Sequence, residues 1–131
     1  MTRTLAVTLV AIGLGMSSAT VLDAHHSYAA FDREHPVSIE GEITQVVFAN
    51  PHVVLTVRAA DADYSVEWLS MFQLTGRYHV QKDTLVAGDH VVVTARATRD
   101  PSEHRLSLVT DVRRPSDGWS WSRPLVPVAR P

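Results

Sequence analysis

The strongest constraint on this chain is a series of short apolar–polar alternations, each cut off by a turn. Val37, Ile39 and Ile43 alternate with Ser38, Glu40, Glu42 and Thr44, the period of two of a half-buried strand. Gly41 sits inside that run, and the apolar positions then shift phase to Val46 and Phe48, which predicts a bulge or strong bend in one long first strand. Asn50-Pro51 turns the chain, because proline cannot continue a central strand and asparagine tolerates turn geometry. His52 to Ala59 reads as a second strand with Val53, Leu55 and Val57 on one face. After the Asp61-Ala62-Asp63 turn, Tyr64, Val66 and Trp68 mark the buried face of a third.

Ser70 is placed to cap a short helix carrying Met71, Leu74 and Tyr78 on one side, with Gly76 limiting its length. A fourth strand runs from His90 to Thr98 with Val91, Val93 and Ala95 inward. A fifth runs from Arg105 to Val112 with Leu106, Leu108 and Val112 on one face. Three strands, a helix and two strands is the order of a small all-β, five-stranded Greek-key barrel of the OB type, with one short helix between strands 3 and 4. An open β-sandwich is the competing architecture. From Arg114 to Pro131 four of the seven prolines accumulate with Trp119 and Trp121, so 114–131 is expected to be a tail or wrapping arm outside the 25–113 barrel.

The 131 residues suffice for one domain, and 45% hydrophobic with 20% charged residues is the balance of a globular protein. A net charge of −2 argues against nucleic acid, which needs clustered Lys and Arg. The absence of cysteine excludes disulfides, thiolate metal sites, covalent haem attachment and thiol catalysis. No catalytic triad order, phosphate loop or dinucleotide fingerprint is present.

Residues 1–24 read as a Sec-type signal peptide: Arg3, the apolar run Leu5 to Met16, then the small, polar stretch Ser17 to Ala24. The apolar run is short for a bilayer span, so a retained anchor is the lesser reading and a periplasmic or secreted chain, with no stable membrane span after processing, the leading one. Cleavage after Ala19 has small residues at the preferred positions. Cleavage after Ala24 meets Leu22 but frees His25 as the N-terminus.

Without cysteine, any metal site must be built from histidine, carboxylate or backbone groups. His25 and His26 stand at the end of the signal, and His52 opens the second strand. An N-terminal His25 would chelate through its amine and Nδ1, with His52 as the second imidazole. That nitrogen set suits copper, which heads the divalent affinity order. If Ala24 were first instead, His26 would be third from the amine and the key ligand of a square-planar site. If cleavage falls after Ala19, His25, His26, His35 and His52 are left to gather as an ordinary imidazole site.

Asp32 and Asn50 are the groups placed behind such ligands, Asp32 as the acceptor that orients an imidazole. The plainer readings are that adjacent histidines are solvated, that His52 hydrogen-bonds a carbonyl, that His35 is a surface loop residue and that Asp32 braces the loop after Phe31. Trp68 is read as core, with Tyr28 and Phe31 able to join it around a small pocket. Glu40, Glu42 and Glu67 are read as solvated strand faces, and His79, His90 and His104 as surface or packing residues.

Ala24-His25-His26-Ser27-Tyr28, Phe31-Asp32, Gly41, Asn50-Pro51-His52, Trp68, Leu85…Gly88-Asp89-x-Val91 and Arg99-Asp100 together resemble a family of small secreted bacterial proteins, domain of unknown function 6152. The resemblance runs from about Ala24 to Gly118. It implies a mature N-terminus at His25 and carries no established activity. The chain departs from the pattern at Leu22, around Met71 and Phe72 and at His79-Val80, and keeps the histidine positions.

These readings lead to a metal-binding module, a copper carrier or sensor. The alternative is a non-metal envelope domain that holds a small ligand, or a protein partner through its Trp119/Trp121 tail. A copper oxidase or oxygenase is third, because so small a barrel leaves little surface for a large substrate.

Overall fold

The computed structural model describes residues 28–124, and His25, His26 and the expected signal peptide lie outside them. Its strands are β1 (Val37–Val47), β2 (Val54–Ala59), β3 (Asp63–Glu67), β4 (His90–Ala97), β5 (Arg105–Arg114) and β6 (Trp119–Ser122), with helix α1 (Met71–Tyr78) between β3 and β4. The sheet runs β3-β2-β1-β4-β5-β6, and β3 also pairs with β5. That last pairing is parallel, Ser65 with Arg105 and Val66 with Leu106, and it closes the first five strands into a barrel. Strand order and helix position are those of an OB barrel, as the alternation predicts.

The inward set follows the sequence pattern. Val53, Leu55, Val57, Val66, Val91, Val93 and Ala95 are all at most 1% exposed. One long strand serves two neighbours because β1 is bent. Ile43 pairs with Val57 but Gln45 with Thr56, so Thr44 is an extra residue on the β1 side. The bulge thus lies three residues beyond Gly41. Gly41 meets a different demand: a Cβ there would collide with the Arg58 carbonyl of β2.

Ser70 and Gln73 form a reciprocal capping box at the start of α1, each backbone N–H donating to the other's side chain. Leu74 is fully buried and fixes the helix on the core. The helix ends at His79, whose left-handed backbone (φ 56°) is followed by a Val80 N–H donating to the Leu74 carbonyl.

Two features depart from expectation. The stretch read as a tail begins with a sixth strand, joined to β5 by a turn with Gly118 at φ 76°. Trp121 is 5% exposed and packs edge-on against Trp68 (5.0 Å) and Tyr78 (5.4 Å), so it belongs to the core. A four-residue alternation among prolines is too short a signal to read as a strand. The second departure is in β5, where Leu108 has φ 52°. Thr94 pairs with Asp111 but Arg96 with Ser107, so β5 carries two more residues than β4 across that span. The phase slips, and Val109 is buried in place of Leu108.

Arg114 ties the β5–β6 turn to the loop before β4. It donates to Asp89 (2.8 Å), to the Thr84 carbonyl (2.8 Å) and to Asp117 (2.8 Å). These bonds hold its pKa above, and that of Asp117 below, the ordinary values. At the other end of the chain Phe31 bridges to Thr98 and the Asp32 N–H donates to the Ala97 carbonyl, fixing how the N-terminal segment enters the barrel. Among the described residues no helix is long and apolar enough to cross a membrane.

Candidate functional site

The β2–β3 ladder continues past its last regular pair, Val54 with Glu67, because the Trp68 N–H donates to Val53 and the Val53 N–H to Leu69. This register sets His52 beside Glu67 and Trp68. The His52 Nδ1 lies 3.0 Å from the Trp68 carbonyl, which can only accept, so Nδ1 carries the proton of this bond. In the neutral ring Nε2 then carries the free lone pair, and it lies 3.5 Å from Glu67 Oε1. Both side chains are largely withdrawn from solvent, at 22% and 16% exposure.

They face a pocket of about 250 Å³. The Trp68 ring, Leu69, Leu108 and Val109 give it an apolar wall, and Tyr28 stands on its rim. Gln73 reaches it from the first turn of α1 and Arg123 from just beyond β6. Ser107, 3% exposed, lines it from the β5 bulge. A slightly larger hollow of about 280 Å³ lies by the β5–β6 turn, but its cations, Arg113 and Arg114, are already paired with Asp111, Asp89 and Asp117.

The structure separates the residues that sequence pattern grouped. His35 is on the surface, 79% exposed, with Nδ1 donating to Asp32 Oδ2 at 2.8 Å. Asp32 also accepts from the backbone N–H groups of Glu34 and His35, and its pKa is lowered, first by the His35 side chain and then by the Glu34 bond. Asp32 therefore braces its own loop, and neither it nor His35 lines the His52 pocket. Asn50 accepts from the Phe72 N–H at 3.5 Å, which ties the cis Asn50–Pro51 turn to the start of α1. The group that orients His52 is the Trp68 carbonyl rather than Asp32 or Asn50.

Glu67 corrects the reading of a solvated face: it pairs with Val54, which puts it on the sheet face of His52, and it is only 16% exposed. Ser107 and Arg123 carried no pattern of their own in the sequence. His25 and His26 lie outside the described residues, three and two positions from Tyr28 on the pocket rim. Among the described residues no group of three or more His, Asp or Glu side chains converges to hold a metal ion.

Fold and pocket define the class: a small OB-type barrel with an added sixth strand and a mixed-polarity pocket beside the β2–β3 end. The model of the family of unknown function (DUF6152) matches residues 14–107, and the chain belongs to that family. No curated protein matches the sequence. A chain of the S. pombe Stn1–Ten1 complex is similar at 21% identity and TM-score 0.43, over 63% of this chain and 61% of that one. This chain thus spans about three-fifths of the solved chain it matches.

Proposed function

We propose that this protein is a periplasmic or secreted metal-binding module, with copper as its ion, acting as a carrier or sensor. The observation that carries the reading is the His52–Glu67 pair: a part-buried imidazole with its tautomer fixed, and a carboxylate 3.5 Å from its ligating nitrogen. Donors that each sit about 2.0–2.2 Å from one ion are separated by roughly 3–4 Å, so one ion fits between them.

The remaining ligands are His25 and His26. His26 is two peptide units from Tyr28, a span of at most about 8 Å between Cα atoms, and Tyr28 rims the same pocket. A set rich in nitrogen favours copper among the divalent ions. Glu67 adds a charge that favours Cu(II) over Cu(I), since carboxylate suits the harder ion.

Native mass spectrometry tests the reading on protein exported into a bacterial periplasm and purified without chelators. One copper retained on a chain that begins at His25 or Ala24, and lost in His52→Ala, is the expected result. An apo chain that takes up neither added Cu(II) nor Cu(I) would overturn it.

A further inference from the structure

The pocket carries two polar groups besides His52 and Glu67 that have no side-chain partner among the described residues. Ser107 is buried, at 3% exposure, lines the pocket, and its hydroxyl makes no hydrogen bond among the described residues. That hydroxyl can donate to or accept from a molecule in the pocket. Arg123 is half-buried, lines the same pocket and has no ion pair or side-chain hydrogen bond among the described residues. Arg114, also half-buried, is by contrast held by two aspartates.

The backbone that presents Ser107 is strained. Leu108 sits at φ 52°, a left-handed conformation that brings its Cβ too close to the following carbonyl oxygen. The result of that strain is that three consecutive residues, Ser107, Leu108 and Val109, all line the pocket, where a regular strand would offer alternate ones. Bulges that re-aim a side chain in this way are concentrated beside functional sites.

We infer that this pocket binds a small organic monocarboxylate, with Arg123 and Ser107 taking the carboxylate and the Trp68, Leu69 and Leu108 wall taking its apolar body. Phosphate is the wrong anion for the site. One arginine stands against Glu67, so a dianion would meet a near-neutral pocket, and the apolar wall would contribute nothing to it. The volume of about 250 Å³ lies just below the range of drug-sized sites, roughly 300–1,000 Å³, and restricts the ligand to a small acid. The groups that hold the acid are other than the proposed metal ligands, and the inference does not depend on an ion being bound.

The test is a titration of the processed, full-length chain with benzoate, butyrate and inorganic phosphate, followed by NMR of the Trp68 indole and the Ser107–Val109 amides. Saturable shifts with benzoate, weaker binding of butyrate and none of phosphate are expected. Arg123→Met should weaken benzoate binding roughly ten- to hundredfold, the loss expected for a hydrogen-bonded charge. Ser107→Ala should weaken it less, and Arg113→Met, outside the pocket, should leave it unchanged.

Glu67→Gln separates the two readings. It removes a like charge and so should strengthen benzoate binding, while weakening retention of copper. No saturable shift with any of the acids, equal binding of phosphate, or unchanged affinity in a folded Arg123→Met variant would overturn the inference. None of those results bears on whether His52 holds copper.

Discussion

Trp121→Ala measures what the sixth strand does. The Trp121 ring is 5% exposed and makes edge-to-face contacts with Trp68 and Tyr78. Its Nε1 is buried with no hydrogen-bond partner among the described residues, so truncation removes packing and breaks no hydrogen bond. Burying such a ring withdraws about 150–250 Å² from water, which at about 25 cal/mol per Å² is ~4–6 kcal/mol. Measured losses for tryptophan-to-alanine changes in cores are about 3–5 kcal/mol.

A small domain has only about 5–15 kcal/mol in all, so Trp121→Ala should lose much of its stability. Trp119 is the internal control. It lies two residues away on the same strand but is only half-buried, against the Arg114 guanidinium. That contact is worth about 0.5–1 kcal/mol at an exposed site, so Trp119→Ala should cost less than half as much. Urea unfolding followed by circular dichroism reads both, with Trp121→Phe as the milder change if the alanine variant does not fold. A Trp121→Ala loss within about 1 kcal/mol of zero, or one equal to that of Trp119→Ala, would refute the reasoning and return 114–131 to a detachable tail.

Gly41→Ala should destabilise by about 1–3 kcal/mol, the usual cost of overpacking, because the new methyl meets the Arg58 carbonyl rather than a side chain that can turn away; the urea midpoint is the readout. His52→Ala should lose copper in native mass spectrometry while His35→Ala keeps it, since His35 is spent on Asp32 and does not line the pocket. Asp32, Asp61, Asp100 and Asp117 all have pKa values lowered from 3.8 by hydrogen bonds in the fold. The stability they add is complete above that unfolded value and is lost as pH falls through their lower folded values, so thermal midpoints should drop below about pH 4. Arg114→Met removes the main cause for Asp117 and should flatten that acid limb, and an unchanged slope would count against the assignment.

The barrel was legible because its signals are local. Val53, Leu55 and Val57 keep one parity, and Ser70 with Gln73 is a capping box three residues apart, so neither needs knowledge of distant chain. Gly41 was visible as an anomaly but not as the right one: a glycine in a strand marks either a bulge or a close approach, and only the position of Arg58 decides. The pocket was mostly hidden for the same reason. Glu67 alternates with Val66 as any outward residue would, and its place beside His52 depends on the β2–β3 register. Leu108 breaks a sound alternation through a backbone angle that leucine seldom adopts, which no residue-type rule anticipates. The Asp32–His35 pair, three residues apart, was the one surface feature that spacing alone could have resolved.

The barrel closes on a seam of only two strand pairs, Ser65 with Arg105 and Val66 with Leu106, between segments forty residues apart in the chain. Two residue pairs are fewer than any other strand pairing in the sheet has, so this seam is the part expected to open most readily. Glu67 and Trp68 leave one side of the seam, and Ser107 to Val109 leave the other. The pocket therefore exists only while the seam is shut, and whatever occupies it acts as a clasp across the weakest join. Occupancy would slow amide exchange at Ser65 and Leu106 far more than in β1 or β4, because mass action stabilises the closed form alone. In such a protein a bound molecule is read out as the integrity of the barrel itself, without any moving lid.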